Sequence, residues 1–401
     1  MKKIKNNSIK ILVVFHNSML ESGATKSLTD ILNNLITNNI YKFDVVFPSS
    51  TGSAIDYYRS KNIKVFNYQY GKLMQNLNQS LIKRIIKFPL LLYRYINIIR
   101  EAKKASKELK SNNYDIVYSN TSSIIFGALL GKYMKCKHIW HIREFRKKDH
   151  QIYFFLGEKR LKKFINKYSN KVLFVSQKVM DDNIDFIDYN KCIVTYNSYS
   201  KDFIHKKEKF NMNEKLNVLI AGDIQPSKGQ FDIVKAIAFL NNDKEKFKLH
   251  IAGNVSINDY YQKILKFIDD NNMKDQVTFY GHVKDMKSLR KNMDIGVVSS
   301  TCEAFGRTTI EGMLSMLAMI GRDSGGTTEQ IDNNVTGLLY DGTVNDLVDK
   351  LLLFYNDRKK MKEIAINGFE NAIEEYTNGQ CYKKVEQAIY DVMNTMCGEI
   401  E

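Results

Sequence analysis

Two glutamates, Glu303 and Glu311, stand eight positions apart around the run Ala304-Phe305-Gly306-Arg307. Upstream, DIGVVSS (residues 294–300) reads as a short apolar strand. Downstream, Ile310, Met313, Leu314 and Leu317 recur at i, i+3, i+4 and i+7, which predicts a helix from Gly306 onward. The loop between them ends at a helix N-terminus, where unpaired backbone N–H groups around Phe305, Gly306 and Arg307 and the helix dipole favour an anion. Carboxylates on either side of an anion site accept hydrogen bonds from hydroxyls. The chemistry that needs both is a ligand with phosphate in the middle and hydroxyl-rich groups at its two ends, which is the make-up of a sugar nucleotide.

A second loop has the same character. Residues 215–221 read as a strand, and GDIQPSKG (residues 222–229) leads from it into a helix over residues 231–240, with Lys228 as a cation at the loop's end. Strands at residues 250–253, 277–280 and 294–299 complete a strand-helix alternation, which implies a parallel sheet with ligands at the carboxyl ends of its strands. In the first half, strands at residues 9–16, 43–48, 63–67, 114–119, 138–142, 172–176 and 192–196 alternate with helical patterns in the same way. His141, Arg143 and Glu144 in HIWHIREF lie at one strand end and Asn120 at another. Gly23 lies in the turn between the first strand and a helix over residues 24–35. No G-x-G-x-x-G run follows that strand, so a dinucleotide site is poorly supported.

The block from Glu303 to Glu311 resembles the E-x7-E motif of retaining GT-B glycosyltransferases of the family 4 type, and SGGTTEQIDNNVTGLLYDG (residues 324–342) resembles that family's continuation. The resemblance implies an α/β GT-B fold, two Rossmann-like domains facing each other across a cleft. It divides the chain into an acceptor-binding domain at residues 1–205, a nucleotide-sugar domain at residues 206–378, and a last helix near residues 379–397 that packs back on the first domain. It also implies metal-independent transfer of a sugar from a nucleoside diphosphate, UDP type above all, to a hydroxyl of a glycan or lipid-linked acceptor, as in capsule or other cell-surface polysaccharide synthesis. No cofactor and no metal is expected. Glu303 would meet donor-sugar hydroxyls, Glu311 both ribose hydroxyls, and Lys228 the diphosphate. Gly222 and Asp223 border the phosphates, His282 and Val283 the nucleobase, and Ala304, Phe305, Gly306 and Arg307 complete the donor site. His141 would face the donor sugar, Gly23 lies near the diphosphate and acceptor, and Asn120, Arg143 and Glu144 are acceptor-side candidates. Asp223 stands where the family carries an arginine, so one cation is missing unless Arg307 supplies it. A catalytically silent GT-B subunit that binds a partner transferase or a glycan is the alternative.

The chain has 401 residues, room for two cores, and a formal net charge of +16. The charge is lopsided: residues 1–200 hold 34 Lys and Arg against 14 Asp and Glu. Such a face suits an anionic surface. No nucleic-acid motif accompanies it, and nucleic acid is not expected as a partner. Five cysteines without CxxC spacing support neither a disulfide framework nor a zinc site and fit a reducing cytosol. No run of apolar residues approaches membrane-spanning length, so a cytoplasmic protein with at most peripheral contact at the inner face of the plasma membrane is expected. The segment at residues 81–110 mixes aliphatic side chains and tyrosines with Lys and Arg and is the candidate for that contact, either as a basic amphipathic helix or as an ordinary domain helix. Pro89 is expected to break it in two.

Overall fold

The computed structural model describes residues 8–38, 40–212, 215–240 and 246–394. The chain forms two compact units, one running to Ser198 and resuming at Gly379, the other from Tyr199 to Asn378.

Among the described residues, the first unit's strands are β1 (Ile9–Val14), β2 (Tyr41–Phe47), β3 (Val65–Asn67), β4 (Met74–Asn76), β5 (Ile116–Asn120), β6 (Lys137–Ile142), β7 (Ile152–Phe154), β8 (Lys171–Phe174) and β9 (Cys192–Val194). Seven of them make a parallel sheet in the order β3-β2-β1-β5-β6-β8-β9, and β4 pairs antiparallel with β7. β1 is almost wholly buried, as an unalternated apolar strand with helices on both faces should be. Strand order reverses between β1 and β5, and the register sets Val14 beside Ser119 and Asn120 beside His141. Ligands of such sheets gather at the strand ends flanking the reversal. One core cluster joins Ile11, Val13, Tyr118 and Ile139 to Leu28 and Ile31 of helix Gly23–Ile36 and to Val385, Ala388 and Ile389 of helix Gln380–Asn394. The chain's last described helix is therefore part of the first unit's core; residues 395–397 of the helix expected there lie outside the described residues.

Helix Leu81–Leu109 is continuous through Pro89. The expected break is absent because Pro89 stands on an exposed turn, where an unpaired carbonyl one turn back is not buried. Ser80 caps the helix through its hydroxyl, which accepts from the Lys83 N–H.

The second unit contains β10 (Leu216–Ala221), β11 (Phe247–Ala252), β12 (Val277–Gly281), β13 (Ile295–Val298), β14 (Ala318–Arg322) and β15 (Leu338–Tyr340), a parallel sheet ordered β12-β11-β10-β13-β14-β15. Its reversal lies between β10 and β13. These are the two strands that feed the GDIQPSKG loop and the Glu303 loop. Gly229 makes their approach possible: its φ is +68°, and a Cβ there would stand 2.3 Å from the Ser299 carbonyl oxygen. The helix after Glu303 spans only Arg307–Met313, shorter than the apolar periodicity predicts. Met316, at φ +53°, turns the chain out of the helix, so Leu317 leads into β14 instead of continuing the helical face.

Candidate functional site

Lys228 and Glu303, 75 positions apart in sequence, meet at the second unit's switch point. Lys228 Nζ lies 2.5 Å from Glu303 Oε1. Glu303 is mostly buried and Lys228 about one-third exposed, so the pair sits at a rim open to solvent. The Ser300 hydroxyl donates to the same carboxylate oxygen at 2.5 Å. The two loops are also tied through backbone: Thr301 N–H donates to the Ser227 carbonyl at 2.9 Å. Behind Glu303, Gly325 adopts φ +54°, and Gly326 N–H donates to the Glu303 carbonyl at 2.7 Å. The Gly-Gly turn therefore supports the glutamate's backbone. Ala304, Phe305 and Gly306 are buried in the same loop.

Glu311 is held from two sides. Arg290, buried on helix Met286–Lys291, pairs with Glu311 Oε2, and Arg307 Nε stands 3.5 Å from Oε1. The Arg307 guanidinium also lies over the Tyr199 ring, 4.8 Å from its centroid, while the Tyr199 hydroxyl donates to the Arg307 carbonyl at 3.2 Å. Arg307 is thus engaged beside Glu311. Asp223 is exposed on the Lys228 loop. Gly222 N–H donates to the Ala252 carbonyl and Gly253 N–H to the Gly281 carbonyl, both at 2.8 Å, which aligns the ends of β10, β11 and β12. His282 and Val283 follow β12, two strands from the Lys228 loop, exposed and half-buried respectively. The structure brings Lys228 onto Glu303 and Arg307 onto Glu311.

In the first unit, the ends of β5 and β6 carry a buried polar cluster. Arg143 donates through Nε to Asn120 Oδ1 and through Nη1 to Asn197 Oδ1, both at 2.6 Å, and its Nη2 lies 3.2 Å from His141 Nδ1. The Tyr118 hydroxyl lies 2.7 Å from that same nitrogen. A guanidinium can only donate, so Nδ1 accepts and the ring proton belongs on Nε2. Burial, with Arg143 beside it, holds the imidazole's pKa well below its usual value, so the ring is neutral. Nε2 is buried and meets no partner among the described residues. Asn120 also donates to the Ala24 carbonyl at 3.0 Å, which ties the cluster to the start of the Gly23 helix. Glu144 faces inward: its Oε1 accepts from the Ser122 N–H at 2.6 Å and the Ser122 hydroxyl at 2.7 Å.

Several members of these clusters carried no sequence signal, Arg290, Tyr199 and Asn197 among them. Ser300, three residues before Glu303, and His16, at the end of the first strand, stand in positions of the kind that made Asn120 and His141 candidates. His16 has a pKa lowered to about 3 by burial, with Lys72, Arg143 and His150 adding to the effect. Among the described residues, no group of three or more His, Cys, Asp or Glu is arranged to hold a metal ion.

Residues 200–371 match the family model described as "Glycosyl transferases group 1". Curated relatives are distant. The chain is 26% identical over 307 residues to an uncharacterized 41.2 kDa protein in the cps region of Klebsiella pneumoniae, covering 69% of this chain and 81% of that one. It is 28% identical over 232 residues to the poly(ribitol-phosphate) alpha-N-acetylglucosaminyltransferase of Staphylococcus aureus, covering 56% of this chain but 45% of the relative. Among solved structures, Anabaena HepE in complex with UDP superposes with a TM-score of 0.78 at 18% identity, covering 96% of this chain and 100% of that one. S. aureus TarM superposes at 0.73 with 14% identity over 96% and 99%. The solved structures share the chain's fold, which is GT-B, and the match to the family model lies within the second unit.

Proposed function

We propose that this chain is a retaining glycosyltransferase that moves a sugar from a nucleoside-diphosphate sugar, of UDP type, to a hydroxyl of a glycan or lipid-linked acceptor in cell-surface polysaccharide synthesis. The observation that carries the reading is the Lys228–Glu303 pair, a cation and a carboxylate converging from two loops at the second unit's switch point. Lys228 is the group to meet the diphosphate, whose negative charge grows as the bond to the sugar breaks. Glu303 accepts from donor-sugar hydroxyls. Glu311, oriented by Arg290 and Arg307, accepts from the ribose hydroxyls. With Asp223 on the loop in place of a second cation, Lys228 and the backbone N–H groups of the loops carry the phosphate, and Arg307 contributes through its position beside Glu311.

In this reaction the bond from the anomeric carbon to phosphate oxygen breaks, the acceptor oxygen bonds to that carbon from the same side, and the acceptor proton passes to the departing phosphate. No carboxylate nucleophile is required. His141, neutral with its proton on Nε2, is a donor for a substrate hydroxyl or carbonyl in the first unit's cluster. The names of similar proteins support the substrate class: HepE was solved with UDP-glucose, and curated relatives include a transferase of N-acetylglucosamine to poly(ribitol-phosphate). The cps-region relative supports a surface polysaccharide as the product.

The test is turnover of a panel of UDP-, GDP- and dTDP-sugars, with and without lipid-linked acceptors, by the intact chain and by Lys228→Ala and Glu303→Ala. Turnover of a UDP-sugar should fall by roughly 10²- to 10³-fold in either variant, the usual cost of losing one group that stabilises transition-state charge. Absence of turnover with every donor would replace this reading with that of a silent GT-B subunit.

A further inference from the structure

Helix Leu81–Leu109 is built in two halves. The second half packs into its own unit through Ile98, Ala102, Ala105 and Leu109, all buried. The first half touches the unit along one narrow line. Leu91 is buried, the Phe88 and Tyr95 rings pack at a tilt against Phe155, and Arg84 lies over the Tyr153 ring. At 3.6 residues per turn, Leu81, Ile82, Ile85, Ile86, Leu92, Tyr93 and Ile96 share a sector of about 140° that borders this line beside Phe88 and turns away from it. That sector faces solvent: Leu81 is 66% exposed, Ile82 70%, Ile85 64%, Ile86 70% and Tyr93 60%. An apolar stripe at helical spacing normally points into its own domain. Here it points out. Seven exposed large apolar side chains gathered on one sector are contiguous where ordinary surfaces scatter them singly, and such a patch marks an interaction site.

The flank of the stripe identifies the partner. Lys83, Lys87 and Arg94 fall together in the sector beside it, and no acidic residue occurs between Leu81 and Arg100, the first being Glu101. A second copy docked through the same face would bring both sets of cations together without a carboxylate to pair them. A bilayer with anionic headgroups satisfies both features, accepting the apolar side chains and attracting the flank. Among the described residues no helix is long and apolar enough to cross a membrane, so the contact is with the surface.

We infer that the first half of this helix lies in the headgroup region of an anionic bilayer, with Ile82, Ile85, Ile86, Leu92 and Tyr93 inserted and Lys83, Lys87 and Arg94 against lipid phosphates. Insertion to about 5–10 Å is the geometry of such helices. The site is independent of the transferase reading and is measured without donor or acceptor.

The experiment is co-sedimentation of the full chain with vesicles of phosphatidylcholine mixed with phosphatidylglycerol, and with phosphatidylcholine alone, across a salt series. Binding should require phosphatidylglycerol and weaken with salt. Lys83→Ser and Lys87→Ser should each lower the partition coefficient about fivefold, and Ile82→Ser and Ile86→Ser about tenfold each. All four side chains are exposed, so circular dichroism and thermal unfolding should be unchanged in every variant. Absence of partition at low salt, or partition equal to the parent in Ile82→Ser/Ile86→Ser, overturns the inference. So does a dimer in analytical ultracentrifugation that the same double variant dissociates, because the stripe is then an interface between copies.

Discussion

The backing of Glu303 can be probed without touching a group that would meet substrate. Gly325 has φ +54°, and a Cβ built on it stands 2.4 Å from the Glu303 carbonyl oxygen, 3.0 Å from its nitrogen and 3.1 Å from Cys302 Sγ. In Gly325→Ala the left-handed backbone costs about 1–2 kcal/mol. The overlap adds more, because the obstructing atoms are main chain and cannot rotate away. Reaching ordinary contact requires a retreat of about 1 Å by the loop that carries Glu303. Overpacking of this kind costs about 1–3 kcal/mol. A displacement of that size at a substrate-orienting group costs about 100-fold in rate, equivalent to about 2.7 kcal/mol of transition-state stabilisation. Gly281→Ala is the matched control in the same unit, since Gly281 has φ +61° and nothing within 4 Å of its would-be Cβ. The assay is calorimetric unfolding of both variants alongside kcat/KM for the donor. Gly325→Ala should lose about 1–3 kcal/mol more stability than Gly281→Ala and about two orders of magnitude in kcat/KM. Equal destabilisation in the two variants, or full donor turnover in Gly325→Ala, would refute the claim that the Gly-Gly turn sets the position of Glu303.

Two further outcomes follow from buried partners. Arg290→Ala removes one charged partner of Glu311, and breaking a largely buried pair should cost about 1–3 kcal/mol; donor KM should rise at least as much as kcat falls, checked by steady-state kinetics and unfolding. His138 is fully buried, its Nδ1 3.0 Å from the Tyr168 carbonyl and its Nε2 2.9 Å from the Ser119 hydroxyl, and burial lowers its pKa to about 3. The unfolded chain therefore binds a proton that the folded chain refuses between about pH 6.5 and 3, so stability falls as pH falls through that window, by about 1.4 kcal/mol per unit and about 2 kcal/mol by pH 5. Thermal unfolding of His138→Gln should show a correspondingly shallower acid slope than the parent, and an unchanged slope would assign the acid sensitivity to other groups.

What the sequence discloses of this molecule is what depends on local order. Apolar runs with β/α alternation expose both sheets, and the Glu303 block is readable because strand, loop and helix follow one another within thirty residues. Lys228 is legible as a cation closing a strand-to-helix loop. Its 2.5 Å partnership with Glu303 is not, because that depends on β10 and β13 becoming neighbours. Arg290 illustrates the limit best. It sits in KSLRKNMD as one of several basic residues on a short helix, and only the crossover into β13 turns it toward Glu311. The Pro89 break failed for a related reason, since a proline's cost depends on whether the carbonyl it orphans is buried.

The first unit stores strain where its candidate residues gather. Thr121, a β-branched residue, has φ +74°, and Arg146 has φ +71° and ψ −68°. Arg146 is the centre of a γ-turn closed by the Lys147 N–H to the Phe145 carbonyl at 3.0 Å, one of the costlier backbone states for a non-glycine residue. Neither would persist without compensation. Arg146 has it in three places: Nε to Glu158 Oε2 at 2.6 Å, Nη1 to the Ser122 hydroxyl at 2.9 Å and Nη2 to Asn183 Oδ1 at 3.0 Å. Thr121 accepts from Trp140 Nε1 at 2.7 Å and donates its N–H to the His141 carbonyl at 2.8 Å. Ser122 joins the two strained points, since its hydroxyl meets both Arg146 and Glu144. The loops after β5 and β6 are therefore one locked body whose purpose is visible in what it holds. It fixes the strand ends that carry Asn120, His141 and Arg143, and it keeps the His141 proton on Nε2, the one ring atom left to a ligand. Glu144 and Arg146 spend their polar atoms inside the network and hold its geometry, whereas His141 keeps Nε2 for a ligand.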